Sequence, residues 1–178
     1  MPGPTRAPGP RSRPVTCIAA RPTGHGKDMN EMTLHSPAFD DNARIPADYS
    51  HAGGDVSPPL QWSQAPEDVV EIALVCEDPD APSGTFVHWL LAGIPPDTTE
   101  LEPGEPPAGA VSGRNDYGTR GYGGPHPPRG DQAHHYIFHL YGLSEPSGLP
   151  EGFSAEDLRV AEQEKVVASG TLVGTFGR

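Results

Sequence analysis

The chain has 178 residues, 34% of them hydrophobic, and a formal net charge of −12 at pH 7. That length accommodates one domain with a real core and is too short for two large ones. The acidic balance opposes nucleic acid and anionic membrane surfaces at long range, and no run approaches the roughly eighteen apolar residues of a membrane-spanning helix, so neither nucleic-acid binding nor stable membrane anchoring is expected.

Residues 1–31 carry Arg6, Arg11, Arg13, Arg21 and Lys27 against Asp28 and Glu31, which leaves the remainder near −15. Scattered Pro and Gly without periodicity predict a disordered Pro/Arg-rich leader here, and Met29 and Met32 offer alternative starts that would make it a mis-assigned segment. The apolar run at residues 15–20 is too short for a signal peptide, so a cytoplasmic location is the expectation. Cys17 and Cys76 are the only cysteines. Without zinc-type spacing they point to a reducing compartment, with Cys76 packing as a small hydrophobe.

A folded domain is expected over 32–178. Ser57-Pro58-Pro59-Leu60-Gln61-Trp62 reads as a stiff extended segment ending on a large anchor. Residues 69–76 read as a strand running into the turn Asp78-Pro79-Asp80. A second strand spans 86–94 and stops at Pro95-Pro96. Residues 97–133 are mostly loop, and 134–143 form a third strand. Ser154-Ala155-Glu156-Asp157 is a variant capping box. Leu158, Ala161, Lys165 and Val166 continue at helical spacing, which predicts a helix over about 155–168, ended by Gly170. Residues 171–176 close as a strand. Gly (22 residues) and Pro (23 residues) cluster at the ends of apolar runs, and no strand–helix alternation occurs. The fold class is therefore mostly β and antiparallel, with one or two short helices.

Histidine has no packing role in an apolar strand such as Phe86-Val87-His88-Trp89-Leu90-Leu91, and a buried unpaired imidazole costs a few kcal/mol. The same holds for His134 and Tyr136 at the head of the third strand. Strand alternation puts His134 and Tyr136 on one face, and His135 and His139 on the other. If His88 and His134 share a cavity, Asp78 can orient one imidazole, fix its tautomer and raise its pKa. The long loop supplies Gly123 and Gly124 for close approach and ends on the rigid wall Pro125-His126-Pro127-Pro128. Two imidazoles with donors forward, a phenol and a glycine backbone suit phosphate or another small oxyanion. Each feature alone has a structural reading: a turn opener, a satisfied core histidine, a stiff loop. Their joint occurrence carries the weight.

These motifs, in this order, resemble the phosphatidylethanolamine-binding protein family, and its bacterial and archaeal Raf-kinase-inhibitor-like branch in particular. Asp78-Pro79-Asp80-Ala81-Pro82, His88-Trp89, the Gly-Pro-x-Pro-Pro loop and His134-x-Tyr136 carry the resemblance. Ser57-Pro58-Pro59-Leu60-x-Trp62 and Gly170-x-Leu172-x-Gly174-Thr175 add to it. The resemblance implies a two-sheet antiparallel β-sandwich of Greek-key character with a small anion pocket for phosphate, phosphorylated head groups or carboxylates. Carried over by motif, the pocket is Asp78, His88, Gly124, Pro127, His134 and Tyr136. His126 stands where other members have a small residue and is expected at the mouth. Eukaryotic members end in a helix with no match after Phe176, which argues against kinase regulation in the eukaryotic sense. The family is compatible with a homodimer, although no sequence stripe defines one.

The leading reading is a soluble, non-catalytic binding protein without a cofactor or metal, whose pocket takes a small anion or a partner's phosphorylated group. It would thereby regulate a kinase or another protein partner. One alternative is a small hydrolase using Asp78 and His88, or His134, as general base; the missing Gly-x-Ser-x-Gly elbow weakens it. Another is a protease or kinase inhibitor that acts through the loop at 97–133.

Overall fold

Three long strands rich in β-branched and aromatic residues organise the chain: β5 (Glu71–Asp78), β6 (Phe86–Ile94) and β9 (His134–Leu143). A fourth, β10 (Val166–Phe176), pairs antiparallel with β9 along its whole length. Among the described residues, short strands complete the set: β1 (Asn30–Glu31), β2 (Leu34–His35), β3 (Ala43–Arg44), β4 (Leu60–Trp62), β7 (Glu100–Leu101) and β8 (Val111–Ser112), with one α-helix, α1 (Ala155–Glu162), and a short 3-10 helix at Ala47–Tyr49. This computed structural model describes Gly3 and residues 30–178; the expectations of a disordered leader and a start at Met29, and the environment of Cys17, lie outside the described residues.

The larger sheet runs β1-β10-β9-β5-β6-β8, with β3 also on β10, and the smaller runs β2-β4-β7. The spatial order β9-β5-β6-β8 is that of a Greek key, in which the fourth strand returns beside the first. Leu34, Leu60, Trp62 and Leu101 from the small sheet share one core with Leu74, Leu91, Phe138 and Leu172 from the large sheet, which makes a β-sandwich. The outer face of the large sheet is covered by Phe153 and by Leu158 of α1 against Ala73, Leu90 and Ala92. Cys76 is a free, buried thiol whose pKa burial pushes up, as suits a small core residue.

Three expectations need correction. The sheet is not wholly antiparallel, because β1 and β3 pair with β10 in parallel. Each covers part of the edge that β10 would otherwise expose. The helix ends at Glu162 rather than near 168: Glu164 takes a positive φ of 62°, and the β-branched pair Val166-Val167 opens β10 instead. Gly170 lies within that strand, where an added Cβ would fall 2.0 Å from the Met32 carbonyl oxygen. It is glycine because another backbone crosses it. Finally, β5 ends two residues later than expected, so Asp78 is its last residue and pairs with Phe86.

Candidate functional site

The site forms at one end of the large sheet, where β5 ends, β6 begins and β9 begins. Asp78 and His134 belong to neighbouring antiparallel strands, beyond the last pair Glu77↔Ile137. Alternation then turns His88 of β6 and Tyr136 of β9 toward the same space.

The sequence Asp78-Pro79-Asp80 clamps the head of β9 twice. Asp78 Oδ1 accepts from the Asp80 N–H at 2.8 Å, an Asx turn, and Oδ2 pairs with His134 Nδ1 at 2.7 Å. Asp80 Oδ2 accepts from the His135 N–H at 2.8 Å and pairs with His135 Nδ1 at 2.7 Å. The bonds from His135 hold the Asp80 carboxyl below its usual range. His135 and His139 point away from the site, as alternation requires; His139 pairs with Glu77 at 3.1 Å.

His134 is buried between two carboxylates. Its Nδ1 meets Asp78, and its Nε2 lies 3.2 Å from Oδ2 of the half-exposed Asp131. Burial lowers its pKa, but the hydrogen bonds to Asp78 and Asp131 outweigh that, and the net shift is upward. A carboxylate at each nitrogen favours the doubly protonated ring, in which both nitrogens donate.

His88 differs. Its Nδ1 lies 2.7 Å from the Gly123 carbonyl oxygen, so Nδ1 carries the proton and donates. The Gly123 N–H donates back to the His88 carbonyl at 2.9 Å. Burial pulls the His88 pKa down, partly offset by the Gly123 bond and the Asp78 charge. The ring is therefore neutral near pH 7, and its Nε2 is a lone-pair acceptor. The expectation of two imidazoles with donors forward fails at His88, because its one proton is spent on a backbone carbonyl.

A cavity of about 250 Å³ lies among these groups, lined by Asp78, His88, Pro127, His134 and Tyr136, with Phe86, Tyr117 and His126 around them. Tyr136 meets His88 edge-on at 5.1 Å, and burial with the nearby Asp78 charge drives its phenol pKa far up, so it stays an O–H donor. His126 is exposed at the mouth, edge-on to His51 at 4.9 Å. Arg178 Nε donates to the Pro127 carbonyl at 2.6 Å.

Five of the six expected residues thus surround one cavity, and Gly124 does not line it. Gly124 sits behind the wall: its N–H donates to Asp55 Oδ1 at 2.9 Å, and a Cβ there would fall 2.4 Å from the Ser50 carbonyl carbon. It lets the loop pass against residues 49–51. Three contributors lie outside the six expected residues, two of them, Tyr117 and Gly123, on the long loop. Tyr117 packs edge-on to His88 and donates its O–H to the Gly124 carbonyl at 2.7 Å, with burial pushing its pKa up to about 12. Gly123 fixes the His88 tautomer. Asp131 reaches His134 from the turn at 128–131, and Gly130-Asp131 three residues before the histidine was its only sequence signal. Among the described residues no group of three or more His, Cys, Asp or Glu is placed to hold a metal ion.

The profile of the family described as phosphatidylethanolamine-binding protein matches residues 35–177. The chain belongs to that family. It is 43% identical over 152 residues to a UPF0098 protein of Methanothermobacter thermautotrophicus, covering 83% of this chain and 99% of that one. It is also 43% identical over 145 residues to the Mycobacterium tuberculosis protein named as a candidate lipoprotein, LppC, covering 82% of this chain and 72% of that one. Among solved structures, the family homologue CT736 of Chlamydia trachomatis superposes with a TM-score of 0.78 at 35% identity, over 84% of this chain and 99% of that one. YbcL of E. coli, described as a new member of the mammalian family, gives 0.77 at 28% identity, over 83% and 98%. The fold expected from the family resemblance is therefore the fold observed. No helix among the described residues is long and apolar enough to cross a membrane.

Proposed function

We propose that this family member is a non-catalytic binding protein whose pocket captures one small oxyanion: phosphate, a phosphorylated head group or a carboxylate. The observation that carries this reading is His134, buried and held by Asp78 at 2.7 Å beside a cavity of about 250 Å³. An imidazole whose carboxylate neighbours favour its protonated form, beside the phenol of Tyr136, suits an oxyanion. The volume is below the roughly 300–1,000 Å³ of sites for drug-sized ligands. It suits a phosphoryl or carboxyl group with a short extension. The protein's net charge of −12 opposes an anion at long range, so binding rests on these close hydrogen bonds.

The arrangement serves catalysis poorly. Both Asp78 oxygens already accept hydrogen bonds, which ties the carboxylate to orientation rather than proton abstraction. Ser83, at the cavity rim, makes no hydrogen bond to either imidazole, so the pairing that activates a serine is missing.

Titration with inorganic phosphate, followed by the ring NMR signals of His88 and His134, tests the reading. Saturable shifts of both rings at millimolar phosphate are expected. Unmoved rings would overturn it.

A further inference from the structure

The two imidazoles present opposite chemistry to one cavity, and that restricts the ligand further than "anion" does. His134 is a donor at both nitrogens, because Asp78 and Asp131 accept from it at 2.7 and 3.2 Å. His88 has spent its only neutral-ring proton on the Gly123 carbonyl at 2.7 Å, so Nε2 is the atom left for a ligand, and it offers a lone pair. The Asp78 carboxylate lies in the same lining. An oxyanion without a proton would satisfy His134 and Tyr136 but turn a lone pair toward the lone pair of His88. A ligand with one anionic oxygen and one O–H satisfies both sides.

We propose that the pocket selects a protonated oxyanion, a phosphoryl group that keeps one O–H, with His134 donating to its charged oxygen and His88 Nε2 accepting from its hydroxyl. His88 is then the specificity-determining residue, and Gly123 sets that specificity by fixing its tautomer. Asp131 yields His134 Nε2 to the incoming oxygen. This rests on the anion-pocket reading given above and narrows it.

Phosphate and sulfate provide the test, being tetrahedral anions of similar size. Inorganic phosphate keeps at least one proton near neutral pH, whereas sulfate keeps none. An unpaired buried acceptor facing an oxyanion makes sulfate the weaker ligand by about tenfold to a hundredfold. Calorimetric titration of the wild-type protein with each salt, at matched ionic strength, reads this ratio. His88→Asn keeps a donor for the Gly123 carbonyl but removes the forward acceptor, and is expected to bring the ratio close to one.

Equal affinity for phosphate and sulfate in the wild type would overturn the inference and leave the anion-pocket reading standing. Binding of neither would overturn both. The premise has its own readout: long-range ¹H–¹⁵N spectra of the free protein should show His88 as the Nδ1–H tautomer. An Nε2–H tautomer, or an imidazolium at neutral pH, would overturn the inference whatever the binding data.

Discussion

Asp78 and His134 lie 56 positions apart in sequence and 2.7 Å apart in the fold. The pairing follows from topology: β5 and β9 are antiparallel neighbours, and the end of one meets the beginning of the other. Both side chains are buried, so neither can lose its partner without cost.

Asp78→Asn should lower the His134 pKa and destabilise the fold by about 1–3 kcal/mol. The effect carries a pH signature. The His134 pKa is raised on folding, so its contribution to stability is complete below the ordinary value of 6.5 and is lost as pH rises through the folded value. Denaturation of wild type and variant from acid to mildly alkaline pH should therefore converge as pH rises. A gap that widens with pH would contradict the assignment.

Asp131→Ala should strengthen phosphate binding by about two- to fivefold, the scale of one exposed ion pair. Asp131 is half exposed, and its carboxylate sits on the same nitrogen that an external oxyanion needs. Calorimetric titration checks this. Weaker binding would show that Asp131 supports the ligand rather than competing with it.

Gly124→Ala should destabilise the protein by about 1–3 kcal/mol although no ligand touches it. The new Cβ would collide with the backbone at Ser50, so the loop carrying Pro127 has to shift. Chemical denaturation measures the loss. A neutral outcome would mean that the loop relaxes freely.

Ser154→Ala serves as a contrast. The Ser154 hydroxyl accepts from the Asp157 N–H at 3.0 Å, and the Asp157 carboxylate accepts from the Ser154 N–H at 3.0 Å. Removing this cap should cost about 1 kcal/mol. Because α1 covers the outer face of the sheet, phosphate affinity should not change; a change in titration would contradict the separation of the two faces.

Much of the site was legible because it obeys period-two alternation and lies on long strands. That rule put His134 and Tyr136 on one face and turned His135 and His139 away, while His88 joined them through the family resemblance. Asp78 was legible as the residue opening a turn at a strand end. Asp131 was not, since a turn aspartate four residues after a proline looks like any solvated loop charge until the fold brings its histidine round. The His88 tautomer was equally hidden: it depends on a loop carbonyl 35 residues away. Gly124 was read as a ligand contact, yet its small size serves the loop–loop crossing. The helix end was misread because Val166 falls by coincidence at helical spacing, whereas its pairing with Leu143 decides the matter.

The central claim is that a small oxyanion binds between His88 and His134. A crystal structure of the protein grown with saturating phosphate tests it most directly. The account predicts tetrahedral density in the cavity, one oxygen within hydrogen-bond distance of His134 Nε2, another within reach of His88 Nε2, and Asp131 moved off its nitrogen. A cavity holding only water, with Asp131 still on His134 at saturating phosphate, would contradict it.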